Sequence, residues 1–560
     1  MTIMKRWLFR ALLVVALGFA LLLSAGVAAS WAIAGAGRDA LVASLSHRLG
    51  VPVTVTAGHF DLAQWLRLTP AISLDGVTIG NPAGFRAKPL LSAKRISAQV
   101  ELLPLFRKVI RVRSISIDSP RIVVERGADG ETNLAMVLVA LSAGREAAAG
   151  REAEPRPRGA SLAIDELRIT SGALLVARAA AAQAGESTLI DDVELRALDF
   201  QPGGACRLEL DARLLRGRAS RLRLGARAGP FTSGSLPLEG SLSLTVAPAE
   251  IPAPLRQEQF GKLLGAPGEQ GRVNLEGSLK GDAYRTLSGS AKLGLSDVQI
   301  GKDANHLLNL SGDAPATVSC ARLMSAPNFR VKIPDAKLRL GEGAWSGAAE
   351  VEVRGALVRG SSQGSIRSVE IDQMLSSLTE ASGKVFGVLE VPSYSIQFAG
   401  RNADAMRDSL SGTARLSITK GRIAALDLLA SIQQALEGSR EETSGAKGET
   451  PFSSLVADLR VGDRRLDLSG IVLDSPALGL TGKGTIGFDQ TLGFDLEARV
   501  SGPLAALVTR VARLSPGTET KLPVVLTGTV DAPKVRPNVR ALATRGARGL
   551  VESFLKRRAK

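Results

Sequence analysis

The chain has 560 residues, 45% of them apolar and 22% charged, with 4% aromatic side chains, 59 glycines and a net charge of +16. That length exceeds one ordinary compact core and asks for several domains or an extended repetitive structure. Scarce aromatics and dispersed arginines exclude a base-stacking nucleic-acid surface, so no nucleic-acid partner is expected.

Residues 1–10 form a short basic tail with Lys5, Arg6 and Arg10. Residues 11–37 follow without a charge until Arg38, and their length suits a transmembrane helix. Leu12, Leu13, Val14, Leu17, Phe19, Leu21, Leu22 and Leu23 supply its apolar surface. Trp7 and Trp31 stand near its ends, where amphipathic rings favour the headgroup layer. The preceding basic residues place the tail in the cytoplasm and everything after Arg38 across the membrane. A cleaved signal peptide, cut after the small residues of 27–34, is the competing reading.

A helix is predicted over 38–49, where Ala40, Leu41, Leu45 and Leu49 recur at helical spacing, with Gly50 as its C-cap and Pro52 beyond. From Val51 the period becomes two, through Val53 and Val55, Ile72 and Leu74, and Ile96, Ala98, Val100 and Leu102. Ile110 and Val112 continue it, then Ile115 and Ile117 after a change of parity that signals a bulge. Gly80-Asn81-Pro82 and Asp129-Gly130 mark turns. Asn133 is placed to cap a short helix reaching Leu141.

Four pieces of this stretch, in this order after a membrane helix, resemble the N-terminal region of the AsmA family of bacterial envelope proteins, and residues 38–142 are assigned to that region. They run from Leu74 through Gly80-Asn81-Pro82 to Phe85, from Val100 to Leu105, from Ile117 to Ile122, and from Asp129 to Leu134. The resemblance implies a bacterial inner-membrane anchor with the bulk of the chain in the periplasm. It also implies a role in outer-membrane assembly and a relation to bridge-like lipid-transfer proteins.

Residues 143–160 are rich in Ala, Gly, Pro and alternating charge, and read as a flexible linker. Residues 161–409 read as strand after strand. Leu208 and Leu210 alternate with Arg207, Glu209 and Asp211; Leu242 and Leu244 with Ser241, Ser243 and Thr245; Phe329 and Val331 with Arg330 and Lys332. Such alternation marks antiparallel sheet with one apolar and one wet face. Helices are expected over 252–264 and 368–385. The segment from Leu287, through Leu293, to Leu295 echoes that from Leu410, through Leu416, to Ile418, which suggests repetition. Cys206, on the same parity as Leu208 and Leu210, is read as a buried thiol, with a disulfide to Cys320 left open.

Residues 410–537 resemble an AsmA-like C-terminal domain. The resemblance rests on the strand containing Leu416 and Ile418, a buried helix from Ala424 with a polar stripe of Asp427, Ser431 and Gln434, and a strand through Phe494 and Leu496. Leu526 to Pro537 closes it. Residues 538–560 read as a basic amphipathic tail. Its Arg545, Arg548, Lys556, Arg557 and Arg558 are placed to contact an anionic membrane surface, with a frayed solvated tail as the alternative.

His47, His59 and His306 stand far apart, and no nucleophile elbow or Walker loop occurs. No enzyme activity, metal or cofactor is therefore expected. The expected fold is mainly β with a few helices: an N-terminal transmembrane helix, then an elongated, curved, repetitive antiparallel β-sheet forming an apolar-lined groove. Leu208, Leu210, Leu242, Leu244, Leu293, Leu295, Val331, Leu416, Ile418, Phe494 and Leu496 would line it. Roughly 25–30 strands at about 4.8 Å would span on the order of 120–140 Å in one ladder. The expected partners are the inner-membrane bilayer, phospholipid acyl chains in the groove, and envelope proteins. The alternative function is a scaffold that affects outer-membrane protein insertion through protein contacts.

Overall fold

Period-two alternation becomes strand through most of the chain, with glycine, Asn-Pro and Asp turns between the strands. In the computed structural model the described residues are 37–61, 69–85, 89–101, 103–104, 109–126, 133–134, 136–137, 161–178, 186–201, 204–230, 235–251, 271–303, 306–322, 328–355, 357–379, 381–424, 426–437, 443–445, 447–476, 478–500, 506 and 521–537. They divide into two compact units. The first comprises Met1–Ile251, Val273–Leu293 and Thr317–Arg330; the second comprises Pro252–Arg272, Gly294–Ala316 and Val331–Lys560.

In the first unit, helix α1 (Gly37–Leu49) stops at Gly50, whose φ of +66° is the left-handed cap that glycine adopts without strain. Strands β1 (Val53–Thr54) and β2 (Ala57–Asp61) both pair with β3 (Ala71–Ile79). Next come β4 (Leu91–Glu101), which pairs with β3, and β5 (Val109–Asp118) and β6 (Arg121–Arg126), which both pair with β4. Gln99 faces Ser114 while Val100 faces Val112, so Arg113 is an extra residue on β5. This is the bulge that the parity change announced.

Both β5 and β6 then pair with β7 (Ser161–Arg178), and they do so in parallel. The sheet is therefore mixed, which corrects the all-antiparallel expectation. A parallel pair needs a crossover of about a dozen residues or more, and residues 127–160 supply that length. Alternation reports which face a side chain takes; it carries no strand direction. Antiparallel pairing resumes with β8 (Glu186–Phe200), β9 (Cys206–Leu214), β10 (Arg221–Ala228), β11 (Pro237–Val246) and β12 (Arg272–Asp282), added in chain order. Strands β13 (Thr286–Asp303), β14 (His306–Ala321) and β15 (Asn328–Leu340) follow.

The second unit continues with β16 (Gly343–Arg354), β17 (Leu357–Glu370), helix α2 (Ile371–Leu378), β18 (Val385–Gly400), helix α3 (Ala403–Asp408) and β19 (Ser411–Ala424). Helix α4 (Leu428–Glu437) precedes β20 (Thr443–Ser444), β21 (Glu449–Gly462), β22 (Arg465–Asp474), β23 (Leu478–Gly487), β24 (Thr491–Val500), β25 (Lys521–Thr529) and β26 (Pro533–Pro537). Neighbours from β16 to β26 pair antiparallel in chain order, except that β19 joins β21 and β20 returns to the edge of β26.

The helix expected over 368–385 is shorter, because β17 runs on to Glu370 and β18 already starts at Val385. The helix expected from Ala424 starts later, because β19 extends to Ala424 and Asp427 caps the helix, its Oδ1 accepting the Ala430 N–H at 2.9 Å. Cys206 and Cys320 are buried free thiols. Among the described residues no helix is long and apolar enough to cross a membrane. The expected anchor over 11–37 lies outside the described residues except for Gly37. The linker 143–160, the helix 252–264 and the tail 538–560 lie outside them as well.

Candidate functional site

Residues directly opposite one another on paired strands share a face of the sheet. In the first unit one such row reads Leu74, Ile96, Ile117, Ile169, Leu195, Leu210, Leu224, Leu242 and Gly277 across β3, β4, β5, β7, β8, β9, β10, β11 and β12. Flanking rows run Leu208, Ala226, Gly240, Leu279 and Ala212, Leu222, Leu244, Leu275 over β9 to β12. The alternation read in each strand is thus in register between strands, and the apolar residues merge into one surface.

Cover changes along that surface. Ile96, Ile117, Ile169, Leu195 and Leu210 are all buried, while Leu224, Leu242, Leu275, Leu279 and Leu293 are only half-buried. A small cluster of Cys206, Ala226, Ala228, Leu236, Leu238, Ala283 and Leu287 closes one end of the half-buried part. Burial raises the Cys206 thiol above its ordinary value, so it stays a protonated apolar side chain.

The second unit has the same kind of row with a different cover. Val369, Leu389, Ile418, Leu455, Leu473, Leu480, Ala498 and Leu522 line up across β17, β18, β19, β21, β22, β23, β24 and β25. Ile371, Met374 and Leu375 from α2, and Leu428, Leu429, Ile432 and Leu436 from α4, join this row in one core. Thr450 fixes the entry to α4, its hydroxyl accepting the Leu428 N–H at 2.9 Å and donating to the Leu426 carbonyl at 2.7 Å. Lys384, next to β18, meets Asp531 in the β25–β26 turn at 2.7 Å. The Gly445 N–H donates to the Pro533 carbonyl at 2.9 Å. The sheet of this unit therefore curls around α4.

The residues predicted to line a groove divide accordingly. Leu208 and Leu242 are half-buried and Leu210 and Leu244 buried on the registered face of the first unit. Leu293 is half-buried on β13. In the second unit Leu295 packs beside Ala314, Ala336 and Leu338, and Val331 is half-buried. Leu416, Ile418, Phe494 and Leu496 all sit in the core shared with α2 and α4, so their apolar neighbours come from the chain itself.

The opposite face of the first unit carries ion pairs. Arg95 binds Asp75 at 2.6 Å, Arg111 binds Asp165 at 3.1 Å, Arg196 binds Glu166 at 2.6 Å, and Arg221 binds Asp211 at 2.6 Å. The hydrogen bond from Arg95 holds the Asp75 carboxyl below its ordinary value, and His59 adds to this. Pairs this exposed are screened by water and add little to stability. They mark the face that water keeps.

Two carboxylates hold strand ends of the first unit. Glu250, just after β11, accepts the N–H groups of Ala219 at 2.9 Å and Ser220 at 2.8 Å in the β9–β10 turn. Burial works to raise its carboxyl, but the Ser220 hydroxyl and backbone N–H groups outweigh it and hold the group below its ordinary value. A Cβ on Gly217 would lie 1.7 Å from a Glu250 oxygen, so any side chain there would push the Glu250 carboxylate out of its place. Asp282 does the same beside β10–β11, accepting from the Ser235 hydroxyl at 2.5 Å and from the N–H groups of Leu236 and Tyr284.

Two of the motif pieces meet in space. The Asn133 side chain is fully buried. Its amide donates to Asn81 at 2.8 Å and to the Val123 carbonyl at 2.9 Å, and its oxygen accepts the N–H groups of Glu125 and Leu134. Asn133 thus ties the Asn81 turn to β6. Among the described residues no cluster of His, Cys, Asp and Glu could hold a metal ion.

Residues 55–195 match the family model of the AsmA family. The match contains the pieces from Leu74 to Leu134 on which the resemblance rested, and it continues through β7 into β8. No curated protein and no solved structure matches the chain.

Proposed function

We propose that this chain is an inner-membrane-anchored periplasmic protein of cell-envelope biogenesis that shields or moves phospholipid acyl chains along the apolar face of its sheet. In this reading it is not an enzyme. The AsmA match over 55–195 supports an envelope role. The observation that carries the lipid reading is the half-buried part of the registered face, from Leu224 and Leu242 to Leu275 and Leu279. Aliphatic walls with polar residues only on the reverse face suit an acyl chain. Removing that chain from water is worth about 25 cal/mol per Å² of apolar area. A surface built from Leu, Ala and Gly offers no single tight pocket, so a chain can slide along it.

Mass spectrometry of lipid extracted from the purified full chain tests this. Phospholipid is expected with the wild type and a loss of most of it with Leu242→Glu, while Leu242→Met keeps it. A folded Leu242→Glu protein with unchanged lipid would overturn the reading. The second reading, a scaffold acting through protein contacts on outer-membrane protein insertion, draws on the second unit, where α2 and α4 take up the apolar row from Leu389 to Leu522. It predicts protein crosslinks in the envelope and no bound lipid.

A further inference from the structure

The apolar face of the second unit carries one polar group of side chains among β16, β17 and β18. Trp345 faces Ile366, Ser362 faces Ile396, and Tyr394 faces Gly364, so all three stand on the face that Ile366 and Val391 share with the core. Gly364 in turn faces Gly347. Neither has a side chain, which leaves the Tyr394 ring a path from β18 over β17 to β16. There the Trp345 Nε1–H donates to the Tyr394 hydroxyl, which lies 2.7 Å from the Ser362 hydroxyl. All three side chains are half-buried. The chain has only 4 Trp and 2 Tyr, so their meeting here is not a consequence of composition.

Counting hydrogens gives the chemistry. An indole N–H and two hydroxyls bring three donor hydrogens. The two internal bonds consume two, whichever hydroxyl donates in the second bond. One O–H is left over, and no other described residue accepts it. Water meets this donor until an aliphatic ligand displaces it. A carbonyl then restores the bond, whereas plain hydrocarbon leaves a donor unpaired at a cost.

We propose that Trp345, Ser362 and Tyr394 form a registration point for an ester carbonyl of an acyl lipid lying on this face. This inference rests on the lipid-handling reading above and adds where the lipid is held and by which atom. The carbonyl accepts the spare O–H, the acyl chain lies along the apolar side chains of the same face, and no covalent change occurs.

The test compares a diacyl phospholipid with its dialkyl ether analogue, which has the same headgroup and chains but no carbonyl. Both compete against a fluorescent acyl probe on the full chain. The wild type should prefer the ester about three- to tenfold, the span of one net hydrogen bond. Ser362→Ala still leaves the Tyr394 O–H spare and should keep that preference. The triple variant Trp345→Phe, Ser362→Ala, Tyr394→Phe has no donor left; it should bind both lipids alike, with ether affinity unchanged as proof that the face is intact. Equal binding of ester and ether by the wild type, or a preference retained in the triple variant, overturns the inference alone. Failure of the wild type to bind either lipid overturns the lipid-handling reading, and this inference with it.

Discussion

The registered faces of the two units are built from the same residues and finished differently. On β9 to β12 of the first unit, Leu224, Leu242, Leu275 and Leu279 stay half-buried, and among the described residues the carboxylates of Glu250 and Asp282 hold the strand ends. On β17 to β25 of the second unit, α2 and α4 lay apolar side chains onto the row, and Ile432 and Leu522 lose all contact with solvent. Alternation alone does not decide which outcome follows. An insertion between strands does, when it has its own apolar stripe: α4 leaves β19 at Asp427 and presents Leu428, Ile432 and Leu436 to the sheet while Gln433 and Gln434 remain in water.

The sharpest way to break the contrast is to hollow out that helix. Ile432→Ala removes three carbons from a fully buried site and should destabilise the second unit by about 2–5 kcal/mol. Hydrogen exchange should rise across β21 to β24 and stay unchanged across β3 to β5. Equal protection loss in both units would mean that they unfold as one and that the helix is not a local plug.

Acid provides a second, smaller lever, because the carboxylates held below their ordinary values, Asp75, Glu166, Glu250 and Asp282 against Asp489, lie mainly in the first unit. Glu250 and Asp282 both sit below their ordinary values of 4.5 and 3.8. A carboxyl depressed in the folded state contributes stability that is complete above its unfolded value and is lost as pH falls through its folded value. Exchange in β9 to β12 should therefore rise below about pH 4.5 before it rises around α4. Glu250→Gln should shrink the acid-dependent part while costing some stability at neutral pH, because its charge-assisted bonds to Ala219 and Ser220 weaken. An unchanged acid profile in that variant would remove Glu250 from the account.

Much of this was legible along the chain and little of it across the chain. The bulge at Arg113 showed as the parity change between Val112 and Ile115, and Gly50 announced the end of α1. The buried helix before β20 was readable from its narrow polar stripe, and the motif pieces between Leu74 and Leu134 fall inside the AsmA match. The parallel pairing of β5 and β6 with β7 was not legible, since both strand directions give the same alternation. Nor was the bond from Asn133 to Asn81, or the meeting of Trp345, Ser362 and Tyr394. Those contacts join residues far apart in sequence, where no local period reports on them.

The smallest expected effect on stability bears most directly on the contrast. Leu242 and Leu436 are both leucines on apolar surfaces, one half-buried on β11 and one buried in α4. Full burial of a leucine is worth about 1.5–3 kcal/mol, and a half-buried one loses roughly 1 kcal/mol on truncation because much of its surface was already wet. Leu436→Ala opens a cavity and should cost about 2–5 kcal/mol. Paired denaturation of Leu242→Ala and Leu436→Ala thus measures the cover over each face directly. If Leu242→Ala costs as much as Leu436→Ala, the β9 to β12 face is closed by the chain itself and has no room for an acyl chain. If it costs little while removing bound lipid, the surface contributes more to holding cargo than to folding.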